Sequence, residues 1–303
     1  MTKTPSPVQV IAEIGCNHKG DIGLAKELIQ VAAKTCNAHV AKFQKRHNRE
    51  LLTAVEYDTP HPNPTNSYGE TYGAHREFLE FDTDQHKELI AECAANGIAY
   101  STSVWDLTSA KDMVPLNPPL LKIPSATNLH FEMQGYLCEH FEGEIHVSTG
   151  MSTGNEIAQL VDFYEERGRA KDLVVYSCTS GYPVAFEDIC LFEIKNLMEK
   201  FGNRVKGIGF SGHHLGIAAD VAALALGRSL EAEGKGHFTN IERHFTLDRT
   251  WKGTDHAASL EPDGMRRLCR DLAHVDQALT YKSQDILPVE QVQRDKLKWS
   301  GGA

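Results

Sequence analysis

The chain has 303 residues, 41% of them hydrophobic and 24% charged, enough to bury one large core in an ordinary globular protein. Its formal charge of −10 argues against the basic surface by which nucleic acids and anionic membranes are held. An anionic substrate would have to be met by a few lysines and arginines acting locally against that field.

The N-terminus, MTKTPSPVQVIAEIG, has no basic segment followed by a long apolar one, and no run approaches the roughly 18 to 20 apolar residues that span a bilayer. The expected address is the cytoplasm. Cysteines at 16, 36, 93, 138, 178, 190 and 269 are odd in number and form no CxxC, which predicts reduced thiols in or near the core.

The first predicted strand is Val8 to Gly15, followed by a helix with Asp21 as cap and an apolar stripe of Leu24, Leu28 and Val31. The second strand is His39 to Gln44. Between Lys45 and Thr83 the chain is long and rich in Pro, Asn, Gly and Tyr, too long for a simple βα turn. It is expected to wall or cover a site, with Tyr68, Tyr72, His75 and Arg76 as the side chains of interest. A helix from about Asp84 should stop at Gly97, and strands follow at Ala99 to Val104, Leu120 to Ser125 and Glu144 to Thr149. Thr153-Gly-Asn-Glu156 has the side chains of a capping box, with Ile157, Leu160, Val161 and Tyr164 at helical spacing behind it. The last strands are Leu173 to Thr179, Lys206 to Gly212 and Phe238 to Phe245. Eight strands alternating with helices predict an α/β fold, a (β/α)₈ TIM barrel. A barrel needs roughly 250 residues, so residues 1–303 are read as a single domain.

Barrel active sites lie at the C-terminal strand ends, and here those ends are polar. In order they read Glu13-Ile-Gly-Cys-Asn17-His18, Lys42-Phe-Gln44, Ser101-Thr102-Ser103, Lys122-Ile-Pro-Ser125, Ser148-Thr149-Gly150-Met151, Ser177-Cys-Thr179-Ser180-Gly-Tyr182, Ser211-Gly-His213-His214 and Glu242-Arg243-His244. Hydroxyls from several strands with two lysines predict a phosphate or carboxylate cradle built without a glycine-rich loop. His213 and His244, on adjacent strands, are candidate ligands of one divalent metal, with His214 and His256 in orienting roles. A lysine inside an apolar strand needs an anion beside it, which singles out Lys122 and Lys42. Glu13 is read as functional or as the internal counter-ion of one of those lysines.

Taken together, the blocks AEIGCNHKGD, AKFQ, YSTSVWD, LKIPS, HVSTGMST, CTSGYPVAFEDICL, GFSGHH and IERHFTLDRTWKGTDHAASLEPD resemble the sialic acid (N-acetylneuraminate) synthase family. The resemblance implies a barrel enzyme that condenses phosphoenolpyruvate with an aldose, N-acetylmannosamine or a related sugar, to a 2-keto-3-deoxy sugar acid and phosphate. It implies Mn²⁺ or Mg²⁺ on His213 and His244, polarising the aldehyde oxygen. It implies phosphoenolpyruvate held by Lys42, Thr102, Lys122, Ser125, Ser148 and Ser211, with Ser180 in the same cradle. Glu13, Gln44, Tyr182 and Asp255 would meet the sugar, the water or the reacting carbon, so the catalytic set is Glu13, Lys42, Gln44, Lys122, Tyr182 and Asp255. A homodimer is the expected assembly.

Three departures from the family pattern stand out. Ala126-Thr127 replaces the usual Gly-Glu, Gly212 replaces an Asp, and no antifreeze-like cap domain is read after the barrel. The alternatives are a Schiff-base aldolase acting through Lys122 or Lys42, a deoxyheptulosonate or deoxyoctulosonate phosphate synthase, and a binding protein that kept the pocket without catalysis.

Overall fold

Every predicted apolar run forms a strand in the computed structural model, which describes residues 6–299. The strands are β1 Gln9–Gly15, β2 Val40–Lys45, β3 Ala99–Val104, β4 Leu120–Ile123, β5 Glu144–Ser148, β6 Leu173–Cys178, β7 Gly207–Gly212 and β8 Phe238–His244. All pair in parallel with their sequence neighbours, and β8 closes on β1. The fold is the (β/α)₈ barrel, with strand ends within two residues of those expected.

Strand alternation sorts side chains into an outer and an inner face. The outer face, with Val10, Ala12, Ile14, Phe43, Leu121, Ile145 and Val175, packs under the helices in the main core. The lower interior is a plug of Ile11, Val40, Leu120, Val174 and Tyr176, and each such buried apolar side chain contributes roughly 1.5–3 kcal/mol. On β1, β2 and β4 the apolar plug ends two residues below Glu13, Lys42 and Lys122, on the same inner face, and the polar site begins there.

Helix signals hold with one adjustment. Asp21 Oδ1 accepts from the backbone N–H groups of Gly23 and Leu24, and helix Ile22–Gln30 follows. Its fully buried face is Ala25, Leu28 and Ile29, with Leu24 and Val31 half-buried. The stripe is turned because the helix also packs beside helix Thr83–Asn96, where Lys26 meets Glu88 at 2.7 Å. That helix ends on Gly97 in the left-handed region, φ +70°. The capping box of Thr153 and Glu156 is present, and it opens helix Gly154–Glu166.

The long segment after β2 is folded. It carries short helices Asn48–Leu51, Ala54–Asp58 and Tyr72–Phe78, and a Cβ on Gly73 would collide with the Tyr57 ring. The Tyr68 hydroxyl donates to the carbonyl of Lys252, tying the segment to the loop after β8. All seven cysteines are unpaired; Cys36, Cys93 and Cys269 are buried, whereas Cys190 is exposed. No described helix is long and apolar enough to cross a membrane.

Candidate active site

The C-terminal strand ends and the segment after β2 enclose a cavity of about 540 Å³. Glu13, Lys42, Gln44, Lys122, Ser125, Ser148, Ser180, Tyr182, Ser211, His213, His244 and Asp255 all line it. Among the residues expected to hold phosphoenolpyruvate, the metal or the sugar, Thr102 alone falls outside, and Tyr68, expected in the wall, does not line the cavity either. Lys42 and Gln44 stand in register with Ser101 and Ser103 on β3, so the serines share the inner face and Thr102 points outward, where it is fully buried. The inward hydroxyl beside Lys42 is Ser103, whose Oγ accepts from Lys42 Nζ at 2.8 Å.

Four charged side chains alternate across the cavity floor. Glu13 and Lys42 are register partners on β1 and β2, and their Oε2 and Nζ lie 2.6 Å apart. Lys122 Nζ donates to Glu242 Oε2 at 2.9 Å, and Glu242 Oε1 lies 3.7 Å from Lys42 Nζ and accepts from Ser211 Oγ at 3.2 Å. Two cations and two carboxylates, all buried, therefore neutralise one another. Glu242 was not singled out from the sequence. Its signal was available: it stands two residues before His244 and so shares its face.

Burial sets the protonation tendencies here, modified by neighbours. It raises the Glu13 carboxyl above its ordinary value, against the pull of Lys42 and His244. It would raise Glu242 too, but Lys122 and Lys42 hold that carboxyl well below the usual range. Burial draws Lys122 down, opposed by Glu242. The same penalty on Lys42 is overridden by Glu13 and Glu242, which hold the ammonium above its ordinary value. Gln44 Nε2 donates to the other oxygen of Glu13 at 3.3 Å. Of the two floor carboxyls it is Glu13, raised by burial, that is suited to gain and lose a proton.

Ser125 and Ser180 close in on Gly150. Its backbone N–H donates to Ser125 Oγ at 3.1 Å. A Cβ at Gly150 would lie within 2.7 Å of Ser125 Oγ and closer still to Ser180 Oγ. The missing side chain is what lets these hydroxyls converge.

Opposite them stand the imidazoles, His213 and His244, with ring centroids 5.4 Å apart. His213 Nδ1 lies 2.9 Å from the carbonyl oxygen of Thr179; a carbonyl only accepts, so Nδ1 carries the proton and Nε2 keeps its lone pair. Burial, with His244 beside it, draws His213 down to about 3, so the ring is neutral. His244 Nδ1 is buried without a hydrogen-bond partner, and Asp255 Oδ2 stands 3.8 Å away. The Tyr182 ring packs on His213 at 4.3 Å. Among the described residues no group of three or more His, Cys, Asp or Glu could by itself hold a metal ion, so these strands offer an open pair of imidazoles. His214 and His256 do not line the cavity. His214 accompanies the buried Arg243–Asp220 pair, and His256 Nδ1 sits 2.7 Å from the Thr246 hydroxyl.

The outer wall was only partly foreseen. His61, Tyr72, His75 and Arg76 from the segment after β2 line the cavity together with Arg46 and Trp105. Arg46 is ion-paired with Glu80. Burial, together with His61, Arg46 and Arg76, draws His75 down to about 4.

Comparison with known proteins fits this geometry. The NeuB family profile matches residues 28–284. The chain belongs to the NeuB family. Among relatives of this NeuB-family chain, the N-acetylneuraminate-9-phosphate synthase of Mus musculus is 35% identical over 96% of the chain and 76% of its own length. The N,N'-diacetyllegionaminic acid synthase of Campylobacter jejuni is 32% identical over 89% of the chain and 77% of its own length. Membership makes the protein an enzyme, a synthase. In fold it resembles the N-acetylneuraminic acid synthetase of Leptospira borgpetersenii, with TM-score 0.77 at 24% identity over 96% of this chain and 93% of that one.

Proposed function

We propose that this NeuB-family enzyme condenses phosphoenolpyruvate with the aldehyde of an open-chain, N-acylated aldose, giving a 2-keto-3-deoxy sugar acid of the nonulosonate type and inorganic phosphate. The observation that carries this reading is the cavity floor, where Lys42 and Lys122 share one lining with Ser125, Ser148, Ser180 and Ser211 and with the imidazole pair of His213 and His244. Such a surface suits a small ligand bearing both a phosphate and a carboxylate.

In the reaction, C3 of the enol phosphate bonds to the aldehyde carbon, and the aldehyde oxygen takes up a proton. Water adds to C2, and the resulting tetrahedral carbon expels phosphate to leave the ketone. Lys42 and Lys122, with the Ser125, Ser148, Ser180 and Ser211 hydroxyls, hold the phosphate and carboxylate and stabilise the leaving oxygens. Glu13, with its raised carboxyl and its contacts to Lys42 and Gln44, transfers the proton at the water or the aldehyde oxygen. Asp255 and Tyr182 orient the sugar at the upper rim.

His213 Nε2 and His244 would hold a divalent ion, Mn²⁺ or Mg²⁺; the free Nε2 of His213 and the unpartnered Nδ1 of His244 fit such a ligand set. Bound there, the ion supplies Lewis acidity to a carbonyl oxygen. The depressed Lys122 ammonium favours a second reading, an amine nucleophile that forms a Schiff base. Phosphate release from phosphoenolpyruvate, with Mn²⁺ and a panel of aldoses, tests the first reading. Borohydride trapping with pyruvate tests the second. Stoichiometric phosphate and keto acid without a trapped adduct is the expected result; a covalent pyruvyl adduct on Lys122 would sink it.

A further inference from the structure

Tyr176 brings a fully buried ring into the otherwise aliphatic plug, and Lys122 Nζ lies over its face, 3.8 Å from the centre. The ring fits because its register partner on β7 is Gly209, where a Cβ would stand 2.7 Å from the ring edge. Its hydroxyl is fixed from β5. Tyr176 Oη lies 2.8 Å from His146 Nδ1, and His146 Nε2 lies 3.1 Å from Glu144 Oε2. Against burial, which raises it, His146 and Lys206 hold the Glu144 carboxyl down to about 2, so it is ionised and only accepts. The imidazole proton therefore sits on Nε2, and Nδ1 accepts from the Tyr176 hydroxyl. A carboxylate, a neutral imidazole and a phenol thus run inward from the partly exposed Glu144–Lys206 pair, 2.9 Å apart, to Lys122.

The two floor lysines are held differently as a result. Lys42 Nζ meets Glu13 at 2.6 Å, Ser103 at 2.8 Å and Glu242 at 3.7 Å. Lys122 Nζ has one hydrogen-bond partner among the described residues, Glu242 at 2.9 Å, and an ammonium has three N–H groups to place. On the reading that the floor takes phosphoenolpyruvate, we propose that Tyr176 is a positioning residue: its ring face carries the Lys122 ammonium and leaves an N–H for the ligand's anionic oxygens, while His146 and Glu144 fix the ring. The quadrupole of an aromatic face attracts a cation most strongly where water is excluded. It does so without a second carboxylate, so the charge of Lys122 is stabilised without being cancelled. The charged and titratable groups facing Lys122 are Glu242 on β8, Lys42 on β2, Cys178 and Tyr176 on β6, and its register partner His146 on β5.

The test grades the ring face while keeping its place. Tyr176→Phe is compared with enzymes carrying mono-, di- and trifluorophenylalanine at position 176, since fluorine withdraws the negative charge of the face and adds little volume. Circular dichroism confirms folding. Calorimetry reads the affinity for phosphoenolpyruvate and for inorganic phosphate, and mass spectrometry reads the acetylation of Lys122 by acetic anhydride across pH. Tyr176→Phe, which keeps the face, should bind phosphoenolpyruvate within about threefold of the parent. Affinity should then fall stepwise with each fluorine, to about 10- to 30-fold below Tyr176→Phe at three. The pH at which Lys122 becomes reactive should fall by about one unit along the same series, because a weaker face favours the free amine. Reactivity and affinity that ignore the fluorine count overturn the proposal, since a ring that only fills space would give that result; if the parent nonetheless binds phosphoenolpyruvate, the reading of the floor stands. Reactivity that follows the fluorine count in a protein that binds neither anion would retain the platform under Lys122 and reject the reading of the floor as the phosphoenolpyruvate site.

Discussion

Glu242→Gln tests the charge balance of the floor, because it removes one carboxylate from a buried set of two cations and two anions. Glu242 contacts Lys122 at 2.9 Å, with side-chain exposures of 7% and 2%, so little water can take its place. Breaking a buried pair from one side costs about 3–5 kcal/mol. The amide keeps an acceptor oxygen for Ser211, which places the loss at the lower end, about 3 kcal/mol. At roughly 2 °C per kcal/mol for a chain this large, the midpoint of thermal unfolding should fall by about 6 °C. The freed lysines should then welcome an external anion, so phosphoenolpyruvate should raise the unfolding midpoint more in the variant than in the parent, while turnover falls. Differential scanning fluorimetry across a phosphoenolpyruvate titration reads both effects. A midpoint within 2 °C of the parent, or a smaller ligand-induced shift, would refute the view that Glu242 is the counter-ion of the lysine pair.

The remaining predictions concern neighbouring groups. Gly150→Ala should fold but raise KM for phosphoenolpyruvate by about tenfold, since its methyl would push Ser125 and Ser180 apart; steady-state kinetics that match the parent would contradict this. Ser103→Ala, which removes the acceptor of Lys42 Nζ, should raise that KM more than Thr102→Val does, and the reverse order would contradict the assignment of faces on β3. Gly212→Asp should destabilise rather than improve the enzyme, because a Cβ there would lie 2.9 Å from the His214 and Phe210 rings; a variant as stable as the parent in urea and faster in turnover would overturn that view. Burial draws His86 and His18 down to about 3 in the folded protein. The unfolded chain, with an ordinary pKa near 6.5, takes up these protons first, so the stability they contribute is complete above about pH 6.5 and lost as pH falls toward 3. Each should cost about 1 kcal/mol between pH 7 and 5.5, and urea midpoints of His86→Phe should fall less over that interval than those of the parent.

The barrel was legible because its signals are local. Hydrophobic runs, caps such as Asp21 and Thr153, and the stop at Gly97 each belong to one stretch of chain, and polar residues at strand ends mark one face of the fold. Thr102 shows where reading by block falls short. In Ser101-Thr102-Ser103 the pleat sends alternate residues to opposite faces, and which parity faces inward is fixed only by register with Lys42 and Gln44. Arg46 and Trp105 were beyond such reading. Each stands just past the end of a strand, β2 or β3, and only the pairing of those strands brings the two side chains together in the wall.

The cavity floor offers an anion little net charge of its own. On the floor, Lys42 and Lys122 already face Glu13 and Glu242, so their net attraction for a multiply charged enol phosphate is small, and the chain as a whole is acidic. Binding there must draw on hydrogen bonds from the serines and on whatever positive charge enters with the ligand. That balance is the physical ground for proposing a divalent ion on His213 and His244, whose rings offer nitrogen donors on adjacent strands.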